Sequence, residues 1–513
     1  MDAQQIQQLC QPYCFSHPVT ALQLIETHIS WVILTGQFAY KIKKPVNFGF
    51  LDFSTLDKRH HCCKEELRLN QRSSDDLYLD VVAIRESTGR MSVGGVGETV
   101  EYAVKMRQFD PQALLSELLA KDQVPLESFF ALGYRIGAFH GIAAVAETSS
   151  AWGDYDAVTG PVIENFVQIH ERIKGEDSDL LITLQARVDE DLIRLKPLLQ
   201  TRKQHGFIRE LHGDLHAGNI ALIDQQWVAF DCIEFNPNLR WIDTASDVAF
   251  LVMDLEYRGY AAEANRFLNG YLEYTGDYGL LDLLPFYKSY RAMVRAKVAI
   301  LRWQQTADEK ARSGLIEDFR GYLQYCVTLQ ERPAPFLAMM MGVSGSGKST
   351  VAKQVASEYG AIHIRSDAVR KRLYGMAPDA VSPESLRDEL YSEQTSEKTF
   401  ASMVALADSL LQQGYPVIVD ATFIRRHTRQ PFVALAKAQH VPLIILHCKA
   451  SEAELAQRIR RRELRGGDAS EAGVEVMRQQ LQGVEVLSED ESDCELVVEG
   501  EWEAVLRERV TRT

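Results

Sequence analysis

The string GVSGSGKS, Gly342 to Ser349, lies between an apolar run, FLAMMM, and a stretch of helical periodicity, TVAKQVASEYG. It fits G-x-x-x-x-G-K-[ST], and a strand, a glycine loop and a helix in that order leave few folds open. The glycines let the chain turn tightly enough for backbone amides and a helix N-terminus to converge on one point, which favours anionic oxygen. On this reading Gly342, Ser344, Gly345, Ser346, Gly347 and Thr350 form a cradle, Lys348 reaches the β- and γ-phosphates of ATP, and Ser349 coordinates Mg2+. Beyond the loop the strands AIHIRSD, YPVIVDAT and VPLIILHCK alternate with helical stretches, the pattern of an α/β domain on a parallel sheet. Asp420 ends the second of these strands, where a carboxylate can hold a magnesium-bound water.

The 513 residues are too many for one ordinary core, so two domains are expected. ERPAPF, from Glu331, carries two prolines that remove backbone donors and disfavour helix before them. It divides the chain into residues 1–330, a linker at 331–335, and residues 336–513. Up to about Leu132 the pattern favours short strands (SWVILTG, FAYKIKK, YLDVVAI, VEYAVKM), interrupted by the helical KRHHCCKEELRLNQRS. From Phe129 to Gln330 helical periodicity dominates, with strand material only at IALID and WVAFD. The first domain is therefore read as α+β, a small β-rich lobe followed by a larger helical one. SVGGVGETV, lying between two strands, is read as a hairpin turn.

A second constellation lies in ELHGDLHAGNIALIDQQWVAFD, which places Asp214 and Asn219 in a turn before one strand and Asp231 at the end of the next. Phosphoryl transfer needs a group that orients a hydroxyl by accepting its proton and hard oxygen ligands that hold magnesium against the phosphates. Asp214, Asn219 and Asp231 offer those groups in that order. HGDLHAGN resembles the catalytic loop of aminoglycoside phosphotransferases and related small-molecule kinases, which share the protein kinase fold. The resemblance implies that Asp214 is the catalytic base, Asn219 a magnesium ligand and Asp231 the counterpart of the kinase DFG aspartate. It also implies a strand lysine held by a helix glutamate. FAYKIKK offers Lys41, with Lys43 on the same strand face, and KEELRLN offers Glu65 or Glu66; Lys41 with Glu65 is the pair chosen. Asp247, in WIDTASDVAFL, is expected to brace the catalytic loop or to cap a helix, and VEYAVKMRQFD occupies the place of the adenine hinge. The chain departs from protein kinases in having no GxGxxG before the lysine strand.

The segments IRSDAVRKRLYG, YPVIVDATFIRRHTR and LHCKASEAELAQRIRRREL resemble the P-loop kinases grouped with gluconate kinase, zeta toxins and polynucleotide 5′-kinases, over most of residues 336 to 500. In that group an aspartate after the second strand accepts the acceptor proton. Asp367 matches it, a helix cap being the competing role, and Arg370 stands near to hold acceptor or phosphate. Arg458, Arg460, Arg461, Arg462 and Arg465 resemble the mobile lid whose guanidinium groups stabilise transition-state charge. Arg458 and Arg462, one helical turn apart, are the two expected to act.

Charge and composition narrow the partners. A net charge of −15 disfavours general binding to nucleic acid or an anionic membrane. Eight cysteines without paired CxxC spacing are read as free thiols, and the absence of a basic leader and of long apolar runs points to the cytoplasm. The whole resembles bacterial proteins predicted to be bifunctional, in which an aminoglycoside phosphotransferase-like half is joined to a P-loop kinase half. The function expected is transfer of the γ-phosphoryl group of ATP, with Mg2+, to hydroxyls of small-molecule acceptors at two sites. Two alternatives are a P-loop half acting on the 5′-hydroxyl of a polynucleotide, and an N-terminal half that is a regulatory pseudokinase. Motifs of this kind specify how ATP is held; the acceptor pockets have no readable code.

Overall fold

A computed structural model gives the fold; it describes every residue except 50, 75, 330, 332–333, 466–471 and 512–513, and the side chains of residues 465 and 511 also lie outside the description. The described residues form two compact units. The first holds Met1–Val124, Phe139–Tyr257 and Leu283–Cys326; the second holds Pro125–Ala138, Arg258–Asp282 and Val327–Thr513. The second unit thus takes in two segments that precede the 331–335 linker of the sequence reading, itself partly outside the described residues.

In the first unit six strands, β1 (Gln23–Glu26), β2 (Ser30–Leu34), β3 (Phe38–Lys43), β4 (Tyr78–Ser87), β5 (Arg90–Val93) and β6 (Glu98–Arg107), form a sheet in the order β1-β2-β3-β6-β4-β5. Alternation along β3 puts Tyr40 and Ile42 into a core with Trp31, Ile33, Ile6 and Leu9, which leaves Lys41 and Lys43 on the opposite face. The helix Leu56–Gln71, whose N-cap Thr55 accepts a hydrogen bond from Lys58, packs against β6 and β4. The glycine-rich stretch is not the hairpin turn the sequence led us to expect. β5 pairs with β4 rather than β6, so residues 94–97 carry the chain back across β4. A Cβ on Gly97 would sit 2.4 Å from the Glu86 carbonyl oxygen, which is why glycine is needed there.

The rest of this unit is helical: Tyr155–His170, Glu176–Gln204, Thr244–Tyr257, Leu284–Gln305 and Glu309–Thr328. Two small antiparallel pairs hold its loops, β7 (Ile208–Glu210) with β10 (Trp241–Asp243), and β8 (Ile220–Ile223) with β9 (Gln226–Ala229).

In the second unit five strands, β11 (Leu337–Met341), β12 (Ile362–Arg365), β13 (Val417–Asp420), β14 (Leu443–His447) and β15 (Glu495–Val497), are all parallel in the order β12-β13-β11-β14-β15. β11 is buried throughout, as its unbroken apolar run requires for a strand covered on both faces. The edge strand β12 is covered by the helix Ala261–Thr275: Asn269 donates to the Ala361 carbonyl at 3.0 Å and accepts from the His363 amide at 2.7 Å. One side chain thereby occupies an edge donor and an edge acceptor that would otherwise stand open. That helix meets the one opening at Leu126 at close range, since a Cβ on Gly133 would lie 2.3 Å from the Phe267 carbonyl oxygen. Among the described residues no helix is long and apolar enough to cross a membrane.

Candidate active sites

The loop after β7 carries the first site. Gly213 has φ +84°, and a Cβ there would lie 2.6 Å from the Leu239 carbonyl oxygen, so the turn that aims Asp214 needs glycine. Asp247 braces the loop from the start of the helix Thr244–Tyr257. Its carboxylate accepts from the His212 and Gly213 amides, at 3.2 and 3.0 Å, and lies 3.2 Å from His140 Nε2. Arg291 donates to the Gly213 carbonyl at 2.9 Å, and Asp254 accepts from the Ala217 amide at 3.0 Å. Asn219 donates through its amide to the Asp214 carbonyl and carboxylate, each at 3.0 Å, which leaves its side-chain oxygen as the group able to meet a cation. Burial works to raise the Asp214 pKa, but His216, Arg295 and His212 outweigh it and hold the carboxyl below the usual range. Asp214 is therefore an anion at neutral pH, as a group that receives a proton must be.

Asp231 follows β9 with φ +65°, a conformation that a non-glycine residue adopts at a cost. The loop and this turn are tied together, because the Phe230 amide donates to the Asn219 carbonyl at 3.0 Å and His212 Nε2 lies 2.8 Å from the Phe230 carbonyl. Lys41 contacts Asp231 and lies 2.8 Å from Glu66. The sequence reading paired Lys41 with Glu65, and the structure corrects it. Neighbours on a helix point about 100° apart, so Glu66 turns inward to Lys41 and Lys43 while Glu65 turns to Arg68 and Arg240, at 2.9 and 3.2 Å. Lys43, which the sequence left as an alternative, is buried between Glu66, at 2.6 Å, and Glu234. Burial would raise the Glu66 pKa, yet Lys41 and Lys43 bring it down to about 2. For Lys41 desolvation opposes the charge, and Asp231, Glu66 and Glu234 overcome it, raising its pKa well above the ordinary lysine value. A lysine so fixed can meet phosphate oxygens, and Asn219 with Asp231 can hold a magnesium ion.

In the second unit the loop from Gly342 joins β11 to the helix Lys348–Tyr359. Gly342, Gly345 and Gly347 have φ of +142°, +83° and +95°. A Cβ on Gly342 would lie 2.5 Å from the Cys448 carbonyl oxygen, and one on Gly345 3.0 Å from that of Leu455. The loop opens on a cavity of about 1130 Å³, lined by Ser344, Gly345, Gly347, Lys348, Ser349 and Thr350 among others. Ser346 Oγ is buried without a hydrogen-bond partner, and Lys348, also buried, donates to the Val343 carbonyl at 2.9 Å. Burial lowers the Lys348 pKa, and Asp420 is the main group that offsets it. Asp420, beside the loop at the end of β13, lies 3.3 Å from His363; His363, Lys348 and Arg365 overcome its burial and bring its pKa to about 2. An orphaned hydroxyl, a desolvated lysine and the hard oxygens of Ser349 and Asp420 together fit magnesium and a nucleotide polyphosphate.

Asp367 and Arg370 line this cavity and pair with each other at 2.8 Å. Asp367 does not cap its helix, which begins at Ser366. Arg458 donates to the Ser346 carbonyl at 3.3 Å, Arg462 bonds the Ala472 carbonyl, and both line the cavity with Arg461. Arg460 is exposed, and the Arg465 side chain lies outside the described residues. Sequence reasoning missed Arg365, Lys353, Phe130 and Tyr134, which share the lining. All eight cysteines are free thiols.

Residues 337–487 match the family AAA_33, described as an AAA domain. Among solved structures the chain is similar to choline kinase from Cryptosporidium parvum Iowa II, at 12% identity over 64% of this chain and 96% of that one, with a TM-score of 0.40. It is also similar to a gluconokinase from Sinorhizobium meliloti 1021, at 22% identity over 35% of this chain and 91% of that one, with a TM-score of 0.26. Nearly the whole length aligns with uncharacterized protein Rv2004c of Mycobacterium tuberculosis (strain ATCC 25618 / H37Rv), 32% identical over 90% of this chain and 91% of that one. At that identity over nine-tenths of its length, and with the 337–487 segment carrying the P-loop, the chain belongs to the family of that mycobacterial protein.

Proposed function

We propose that the chain is an ATP-dependent phosphotransferase with two nucleotide sites, each passing a γ-phosphoryl group to a hydroxyl of a small-molecule acceptor. The observation that carries this reading is that each unit sets a buried lysine beside a strand-end carboxylate on an unrelated sheet: Lys41 with Asp231, paired also with Glu66 of the helix Leu56–Gln71, and Lys348 with Asp420. Magnesium-bound ATP supplies the phosphoryl group and part of the charge neutralisation.

In the first unit Asp214 would orient the acceptor hydroxyl and take its proton, while Asn219 and Asp231 hold the metal and Lys41 the phosphates. In the second, Asp367 would take the proton, Ser349 and Asp420 would hold the metal, and Arg458 with Arg462 would stabilise charge on the phosphoryl group being transferred. Seven cationic and four acidic side chains among the described residues line the second cavity. That balance suits a nucleotide and leaves a polynucleotide 5′-hydroxyl as a second acceptor class.

The test is incubation with γ-labelled ATP, magnesium and fractionated cell extract, supplemented with a 5′-hydroxyl oligonucleotide. Wild type is compared with Asp214→Ala and Lys348→Ala. Each variant should lose a different labelled product. If Asp214→Ala leaves the product profile unchanged, the first unit is a regulator and the two-site reading fails.

A further inference from the structure

The helix Ala261–Thr275 lies outside the 337–487 segment yet runs along the edge of its sheet. Asn269 engages Ala361 and His363 of the β12 edge. One helical turn later Glu273, 1% exposed, accepts from Arg365 Nη1 at 2.9 Å and from Tyr134 Oη at 2.6 Å. The spacing matches, since four residues of helix rise about 6 Å and two residues of strand about 6.6 Å. Arg365 ends β12 and lines the P-loop cavity, as does Tyr134. Its Nε lies 4.0 Å from Asp420 Oδ2, past hydrogen-bonding range.

This spacing has a chemical consequence. A guanidinium so close to a carboxylate in a desolvated pocket is drawn into a bidentate pair unless something else holds it. His363 Nε2 already lies 3.3 Å from Asp420 Oδ2, and such a pair would also occupy Oδ1, the oxygen left for magnesium. Glu273 pulls the guanidinium the other way, and the Tyr134 hydroxyl fixes Glu273. We propose that Glu273, tethered by Tyr134, is a positioning residue of the P-loop site, restraining Arg365 so that the Asp420 carboxylate stays open to magnesium. The proposal rests on the reading of this unit as a Mg-ATP site. It also makes the site composite, built by the P-loop segment, residues 125–138 and residues 258–282.

The test is the magnesium dependence of ATP affinity, measured by titration calorimetry on the full-length protein in a Lys41→Ala background that silences the first site. The variants are Glu273→Gln, Tyr134→Phe, Glu273→Gln with Arg365→Gln, and Lys348→Ala. Glu273→Gln should raise the half-saturating magnesium concentration about tenfold, as loss of a group orienting a metal ligand does, while affinity for metal-free ATP is kept. Tyr134→Phe should shift it the same way by less and decides the matter if Glu273→Gln fails to fold. Adding Arg365→Gln should restore the magnesium dependence, because the competing cation is gone. Wild-type magnesium dependence in Tyr134→Phe and Glu273→Gln, or equal weakening of ATP with and without the metal, would overturn the proposal and leave the Mg-ATP reading standing. If Lys348→Ala binds ATP as its parent does, the Mg-ATP reading falls and takes the proposal with it.

Discussion

Glu66→Gln is the change that probes the first site most sharply. Glu66 is fully buried and, among the described residues, is the carboxylate that Lys41 and Lys43 both pair with, at 2.8 and 2.6 Å. Its folded pKa of about 2, against the ordinary 4.5, corresponds to roughly 3 kcal/mol at neutral pH. Mutational experience with broken buried ion pairs gives a similar figure, about 3–5 kcal/mol. The pKa is depressed, so this stability is present in full above pH 4.5 and is lost as pH falls through about 2. Urea unfolding followed by tryptophan fluorescence measures it. Trp31, Trp152, Trp227, Trp241 and Trp303 lie in the first unit and only Trp502 in the second, so the signal reports mainly the first. Glu66→Gln should cost about 3 kcal/mol at pH 7, with the gap to wild type narrowing as pH falls from 4.5 towards 2. Glu65→Gln, which loses partly exposed pairs with Arg68 and Arg240, should cost about 1 kcal/mol or less. A larger effect at Glu65, or a Glu66→Gln gap that ignores pH over that window, would refute the reasoning.

Other changes should behave as follows. Gly213→Ala forces a side chain into a left-handed turn and against the Leu239 carbonyl, so it should cost more than about 1 kcal/mol in urea unfolding and remove the Asp214-dependent product. Gly342→Ala places a Cβ 2.5 Å from the Cys448 carbonyl oxygen; it should abolish ATP binding at the P-loop, read by calorimetry, without moving the fluorescence-monitored unfolding of the first unit. Glu491→Ala strands the fully buried Arg429, bonded to Glu491 at 2.9 and 3.0 Å, and should destabilise the second unit by about 3–5 kcal/mol in scanning calorimetry.

What the sequence shows and what it hides follow from how far apart the interacting groups lie. The P-loop is local: strand, glycines, lysine and helix fall within about twenty residues, and Gly342, Gly345 and Gly347 each take a positive φ. Asp214, Asn219 and Asp231 were legible for the same reason, one turn and two short strands. The choice between Glu65 and Glu66 was not, because which of two adjacent helical positions faces the sheet is decided by packing against β6 and β4. Arg365 looks like one more strand-end cation until Glu273, 92 residues before it, is placed beside it, and Tyr134 lies 139 residues from Glu273. Composition carries no trace of such meetings. The crossing of residues 94–97 over β4 was hidden as well, since a glycine-rich run between two strands reads equally as a hairpin or a crossing until pairing is known.

The central claim is that one chain holds two nucleotide sites, and the binding stoichiometry of Mg-ATP tests it most directly. Titration calorimetry on the full-length protein should show two ATP bound per chain, one lost in Lys41→Ala, the other lost in Lys348→Ala, and both lost in the double variant. A wild-type stoichiometry of one, unchanged by Lys41→Ala, would contradict the account and reduce the chain to a single P-loop site.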